Sequence, residues 1–158
     1  MTTVIRASDN WDSSIPSNVV HSSSTTPFAT TSSTPVDVSN FSVTITPSSV
    51  NSKILIFVSF RYGNTTSAAN KSLLFRNQTE IDIGGEYNLS NIRAAMNNSQ
   101  GFGQSSFSYL DSPSSTSSLT YKLQVSCSAG TLYINTRNNG ANDAAHIGSI
   151  TVIYFAPH

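Results

Sequence analysis

The stretch VDVSNFSVTITPSSVNSKILIFVSF, residues 36–60, decides the fold. Val36 and Val38, then Phe41, Val43 and Ile45, alternate with polar residues at a period of two, the spacing of one face of a β-strand. Pro47, Ser48 and Ser49 then turn the chain into a second apolar run, residues 53–60. There Ile54, Ile56, Val58 and Phe60 form one face, while Leu55 and Phe57 lie on the other. Part of this strand is therefore expected to be covered on both sides. The two runs read as antiparallel strands joined by a polar connection.

Outward from this pair, β-branched and aromatic residues mark further strands near 72–76, 101–110, 119–126, 131–137 and 149–155. Between them lie turn-forming groups: Gly84-Gly85, residues 111–115 around Pro113, Ala129-Gly130 and Asn138-Asn139-Gly140. Strands spaced by about ten residues with turns between them indicate a sandwich or barrel. Residues 89–96 alone carry helical spacing, with Leu89, Ile92 and Met96 on one side and Ser90 as a cap; one short turn is expected. The fold class read from the sequence is all-β, an antiparallel jelly-roll β-sandwich over residues 36–158 with an extended N-terminal arm over residues 1–35.

The arm is read from composition. Residues 22–34 are almost all Ser and Thr, broken by Pro27, and resemble a linker. Val4, Ile5, Trp11, Val19, Val20 and Phe28 are isolated apolar anchors along it. So polar a segment has little reason to be ordered alone, so it is expected to be held by neighbouring subunits or a larger surface, and its deletion to disturb assembly.

The 158 residues suit one domain with a real core. Eight basic and eight acidic residues cancel, only 10% of residues are charged, and no basic run occurs. Nucleic acid and electrostatically steered partners are therefore not expected. No basic start followed by an apolar segment occurs in residues 1–10, and no apolar run nears ~18 residues, so neither a leader nor a membrane partner is expected and synthesis in a host cytoplasm is. Asn-x-Ser/Thr triplets at Asn64, Asn77 and Asn88 are ordinary in a chain so rich in these residues. The single Cys127 allows no internal disulfide and reads as a small buried thiol.

Catalytic patterns are sparse. His21, His146 and His158 stand far apart without a second ligand at metal spacing. No Gly-x-Ser-x-Gly elbow is present. Glu80, Asp82 and Glu86 crowd near the glycine pair, as a glycosidase pair would, but Glu80 and Asp82 alternate with Ile81 and Ile83 as on a solvated strand face. Residues 101–106 begin like a dinucleotide fingerprint yet lack its third glycine, and no calcium loop surrounds Asp82, Asp111 or Asp143. The expectation is a protein that binds and assembles, with no catalytic residue, metal site or cofactor.

Five segments carry a resemblance: TITPSSVNSKILI (44–56), YLDSP (109–113), LTYKLQV (119–125), GTLYIN (130–135) and SITV (149–152). In content and order they resemble the jelly-roll head domains of phage virion proteins, frequent in marine and cyanobacterial phages and labelled tail fibre or structural protein. Those domains are similar to the trimeric heads of the tumour necrosis factor and complement globular families. The resemblance spans residues 36–155 and implies a homotrimer around a three-fold axis, a symmetry that closes; it implies no catalytic residue.

The aromatic residues exceed what one small core needs, which places some at subunit contacts; Tyr121, Tyr133, Tyr154 and Phe155 are the trimer-interface candidates. The function expected first is a virion capsid decoration (cement) trimer, with itself and the major capsid protein or a tail structural protein as partners. The alternative is the receptor-binding head of a tail fibre, whose loops, through Asn64, Asn70, Asn98, Asn139 and Asn142, contact a host glycan.

Overall fold

The residues singled out as strand formers pair into two antiparallel sheets in the computed structural model, which describes residues 18–66, 68–81, 103–137 and 146–156 and the backbone of 91–92. The strands are β1 (Asn18–Ser24), β2 (Phe28–Thr30), β3 (Val36–Ile45), β4 (Lys53–Asn64), β5 (Asn70–Arg76), β6 (Thr79–Glu80), β7 (Asn91–Ile92), β8 (Gly103–Asp111), β9 (Leu119–Cys127), β10 (Leu132–Ile134) and β11 (Gly148–Phe155). In the larger sheet β4 is central: β8 pairs along one side of it, and β11 followed by β10 along the other. Outside these, β1 pairs with β11 and β2 with β10. The second sheet runs β3, β9, β5, with β6 and β7 both pairing the far side of β5.

The chain crosses between sheets repeatedly: β1 and β2 lie in the larger sheet, β3 in the second, β4 in the larger, β5 to β7 in the second, β8 back, β9 across, β10 and β11 back again. The first strand thus lies beside the last, and the fold is an all-β antiparallel sandwich of jelly-roll type, as the sequence indicates.

Alternation decides which residues fill the space between the sheets. On β4 the inward Ile54, Ile56, Val58 and Phe60 are buried. They meet Phe41, Val43 and Ile45 of β3 and Tyr121, Leu123 and Val125 of β9 in one cluster, closed by Ile150 and Val152 of β11. Each such aliphatic or aromatic side chain contributes roughly 1.5–3 kcal/mol on full burial. The Phe41 ring stands edge-on to Phe60 at 6.3 Å and 90°, a favourable quadrupole arrangement. The slip in the β3 alternation between Val38 and Phe41 is a bulge. The register with β9 shifts between Asp37 and Ser42, and Asn40 takes φ 64°, so both Val38 and Phe41 point inward.

Four expectations are corrected. The sandwich already includes Asn18–Ser24, ahead of residue 36, because β1 pairs residue for residue with β11. A Ser-rich strand needs no apolar face when its backbone completes a ladder and its side chains bond locally: Ser22 Oγ donates to the Asn40 carbonyl at 2.9 Å, and Asn135 Nδ2 donates to the Ser24 carbonyl at 3.0 Å. Val19, Val20 and Phe28 are thus placed by their own chain.

The strand expected over 131–137 ends at Ile134, where Asn135 turns with φ 62°. Residues 91–92, inside the expected helical turn, pair as a strand with Asn70 and Lys71; the rest of that turn lies outside the described residues. Phe57, expected to be covered, is 43% exposed.

One polar cluster ties the sheets together. Asp111 of β8 accepts Arg76 Nη1 of β5 on both oxygens, at 2.9 and 2.8 Å, and Tyr121 of β9 donates its hydroxyl to Asp111 Oδ2 at 2.6 Å. Burial first, and then the Asp111 charge, push the Tyr121 phenol well above its ordinary pKa, which keeps it a donor. A charge left buried without its partner is costly. Asp111→Ala is expected to lower unfolding stability by about 3 kcal/mol and Tyr121→Phe by about 1.5 kcal/mol, measured by urea denaturation.

Candidate binding surface on the larger sheet

The register of the larger sheet writes its outer face as rows of residues across four strands. With Ile54, Ile56, Val58 and Phe60 turned inward, Leu55, Phe57, Ser59 and Arg61 of β4 turn out. The first row is Val19, Ile153, Leu55 and Leu110, each directly opposite the next. Leu55 and Ile153 are half-buried, whereas Val19 and Leu110 are 55% and 57% exposed. An apolar row in mutual register is a patch rather than scattered exposure.

Along the strands the face becomes polar. The next row is His21, Thr151, Phe57 and Ser108, with His21 Nδ1 2.8 Å from Thr151 Oγ1. Ser23, Ser149, Ser59 and Ser106 follow. Beyond them Arg61 lies opposite Gln104, with His146 at hand. Two shallow depressions occupy this polar half. One of about 350 Å³ is lined by Phe57, Val58 and Phe107 together with Ser59, Ser106, Ser108 and Ser149; the other, of about 410 Å³, by Phe60, Arg61, Gln104, His146 and Ile147, and both touch Ser59.

Arg61 Nη1 donates to His146 Nε2 at 2.7 Å, so that nitrogen accepts and the ring is neutral with its proton on Nδ1. Partial burial, and then the charges of Arg61 and Arg137, hold the His146 pKa below its ordinary value.

No family model matches the chain, and no curated protein matches it. Among solved structures it is similar to the VP2 subviral particle of infectious bursal disease virus, at 14% identity and a TM-score of 0.41 over 90% of this chain. The chain spans about two-fifths of that protein's length, 39%.

The sequence-derived candidates fall into distinct environments. Tyr121 and Tyr154 belong to the core of a single chain and offer no surface to a neighbour, which corrects the interface expectation for both. Tyr154 has its hydroxyl occupied: it accepts the Ser48 N–H at 2.8 Å and bonds the Ser48 and Ser52 side chains. Tyr133 and Phe155 are half-buried on the outer face of the larger sheet.

Asn64 and Asn70 are fully buried and serve the fold rather than a ligand. Asn64 Nδ2 donates to Asn70 Oδ1 at 2.7 Å and to the Ala129 carbonyl at 3.2 Å, while Asn64 Oδ1 accepts the Thr66 N–H at 2.9 Å. Gly130, at φ 71°, abuts this knot, and a Cβ there would fall 2.6 Å from Asn64 Oδ1. Val4, Ile5, Trp11, Asn98, Asn139 and Asn142 lie outside the described residues, as do Asp82 and Glu86. Cys127 is buried, its Sγ 3.5 Å from the Thr30 carbonyl. Among the described residues no group of three His, Cys, Asp or Glu side chains could hold a metal ion.

Reading residues 53–60 as a strand already separated Leu55 and Phe57 from the core row. Missing from that reading were their cross-strand partners, which only the register supplies. The depressed His146 pKa carries a pH consequence. The folded chain takes up the imidazole proton less readily than the unfolded chain, so the stabilisation is complete above about pH 6.5 and is lost as pH falls through the lower folded value. Proton NMR should place the His146 midpoint below 6.5, and His146→Gln should flatten the slope of stability against pH in that window.

Proposed function

We propose that this chain is a non-enzymatic virion structural protein that works as a homotrimer, of the capsid decoration (cement) type. The observation carrying the assembly part is the apolar row Val19, Ile153, Leu55 and Leu110, laid in register across four strands. Water penalises such a row, and each aliphatic side chain fully covered by a neighbour contributes roughly 1.5–3 kcal/mol. Phe155, next to this row on the same outer face, extends the surface available to a second copy, whereas Tyr133 lies opposite Gly63 at the far end of the face. Repeated three times about one axis, such a contact closes without leaving an open end. The virion setting is supported by the sequence segments that resemble phage head domains, and the jelly-roll strand order agrees with what that resemblance implies. The row itself holds no charged side chain, which suits a contact between apolar surfaces.

A receptor-binding head of a tail fibre is the second reading, favoured by the serine-lined and arginine-lined half of the same face. Locating the density of this chain in a particle reconstruction separates shell from tail. For the assembly itself, sedimentation equilibrium should give three times the 16.9 kDa chain mass. Leu110→Glu and Val19→Glu, both at exposed positions, should yield monomers with an unchanged far-ultraviolet spectrum. A wild-type monomer at micromolar concentration contradicts the proposal.

A further inference from the structure

We propose that the trough formed by the two joined depressions on the larger sheet is a binding site for an acidic saccharide, whose ring rests on Phe57 and whose anionic group reaches Arg61 and Gln104. This rests on the second reading above, which it deepens by naming the ligand chemistry, and it does not require the trimer.

The argument starts from what lines the trough. At its apolar end Phe57 is 43% exposed, and its ring offers a surface for the C–H face of a pyranose. Beside Val58 and Phe107, Ser59, Ser106, Ser108 and Ser149 line it with hydroxyls from three neighbouring strands. Each hydroxyl donates and accepts, as the hydroxyls of a sugar do, so the match needs no charge. At the far end Arg61 and Gln104 face each other across the β4–β8 ladder, and His146 borders the same depression.

Guanidinium geometry suits a carboxylate or sulfate through paired N–H donors, and the Gln104 amide adds one more. The electrostatics agree: Arg61 and Arg137 place positive charge close enough to His146 to oppose its protonation, and an anion in the trough would relieve that opposition. Phe57 and Arg61 are four residues apart on one strand, about 13 Å at the rise of a β-strand. That span suits two linked sugar rings, one on the phenyl ring and one bearing the acid. The trough begins one row beyond the apolar row, so its arginine end lies away from the proposed subunit contact.

The test titrates the full chain with cellobiouronic acid, a glucuronate–glucose disaccharide, and with cellobiose, its neutral counterpart, following amide and imidazole NMR shifts. The acid should shift the Ser59, Ser106 and Ser149 amides and raise the His146 pKa. The neutral sugar should bind at least ~10-fold more weakly. Arg61→Gln should reduce the acid to the neutral sugar's affinity, and Gln104→Ala, at an exposed position, should weaken the acid alone. Phe57→Ser should weaken both sugars.

No shift with the acid at ~10 mM, equal affinity for the two sugars, or binding indifferent to these substitutions overturns the inference. A monomer that binds the acid removes the assembly reading and leaves this one standing. A trimer that ignores both sugars does the reverse.

Discussion

Everything in this molecule depends on the inward row of β4, Ile54, Ile56, Val58 and Phe60, packed against β3 and β9. β4 is the longest strand of the larger sheet among the described residues, with β11 and β8 in register on either side of it. A slip of one residue would carry all four side chains to the outside, so burial of this row fixes the register of its neighbours. Around it the polar contacts act as locks at the two ends. Asp111, Arg76 and Tyr121 join the sheets near the start of β4, and the buried pair Asn64 and Asn70 closes the other end.

The same constraint produces the outer face. Once the inward row is set, Leu55, Phe57, Ser59 and Arg61 are turned out, and their partners on β1, β11 and β8 follow from pairing alone. The face grades from an apolar row through serines to an arginine with its histidine neighbour. One end is suited to another apolar surface and the other to a polar ligand, so the assembly and the saccharide binding proposed above draw on different side chains.

The alternation in residues 36–60 made the sandwich legible, since a period of two over so many apolar residues has no helical interpretation. The slip between Val38 and Phe41 was passed over in that alternation, because its cause, the bulge at Asn40, required the register with β9. The serine-rich strand β1 was misread as an arm because composition reports side chains, whereas this strand is held by its backbone ladder to β11. Tyr121 and Tyr154 were misassigned to an interface for a related reason: a phenol buried with a partner for its hydroxyl looks the same in sequence as one at a surface. Asn64 and Asn70 read as loop residues, yet they sit at the ends of β4 and β5 and spend their amides on each other. Of the candidate surface, Leu55 and Phe57 were legible as a second face of β4, although they were expected to be covered and Phe57 is not. Their partners lie on β1, β8 and β11, far from β4 in the chain, which no local pattern joins.

The central claim is that the apolar row on the larger sheet is covered by identical copies of the chain. Maleimide labelling of Leu110→Cys tests it most directly, because the native Cys127 is buried and stays silent. The labelling rate should fall steeply as protein concentration rises and copies associate. A rate that is fast and independent of concentration would contradict the account.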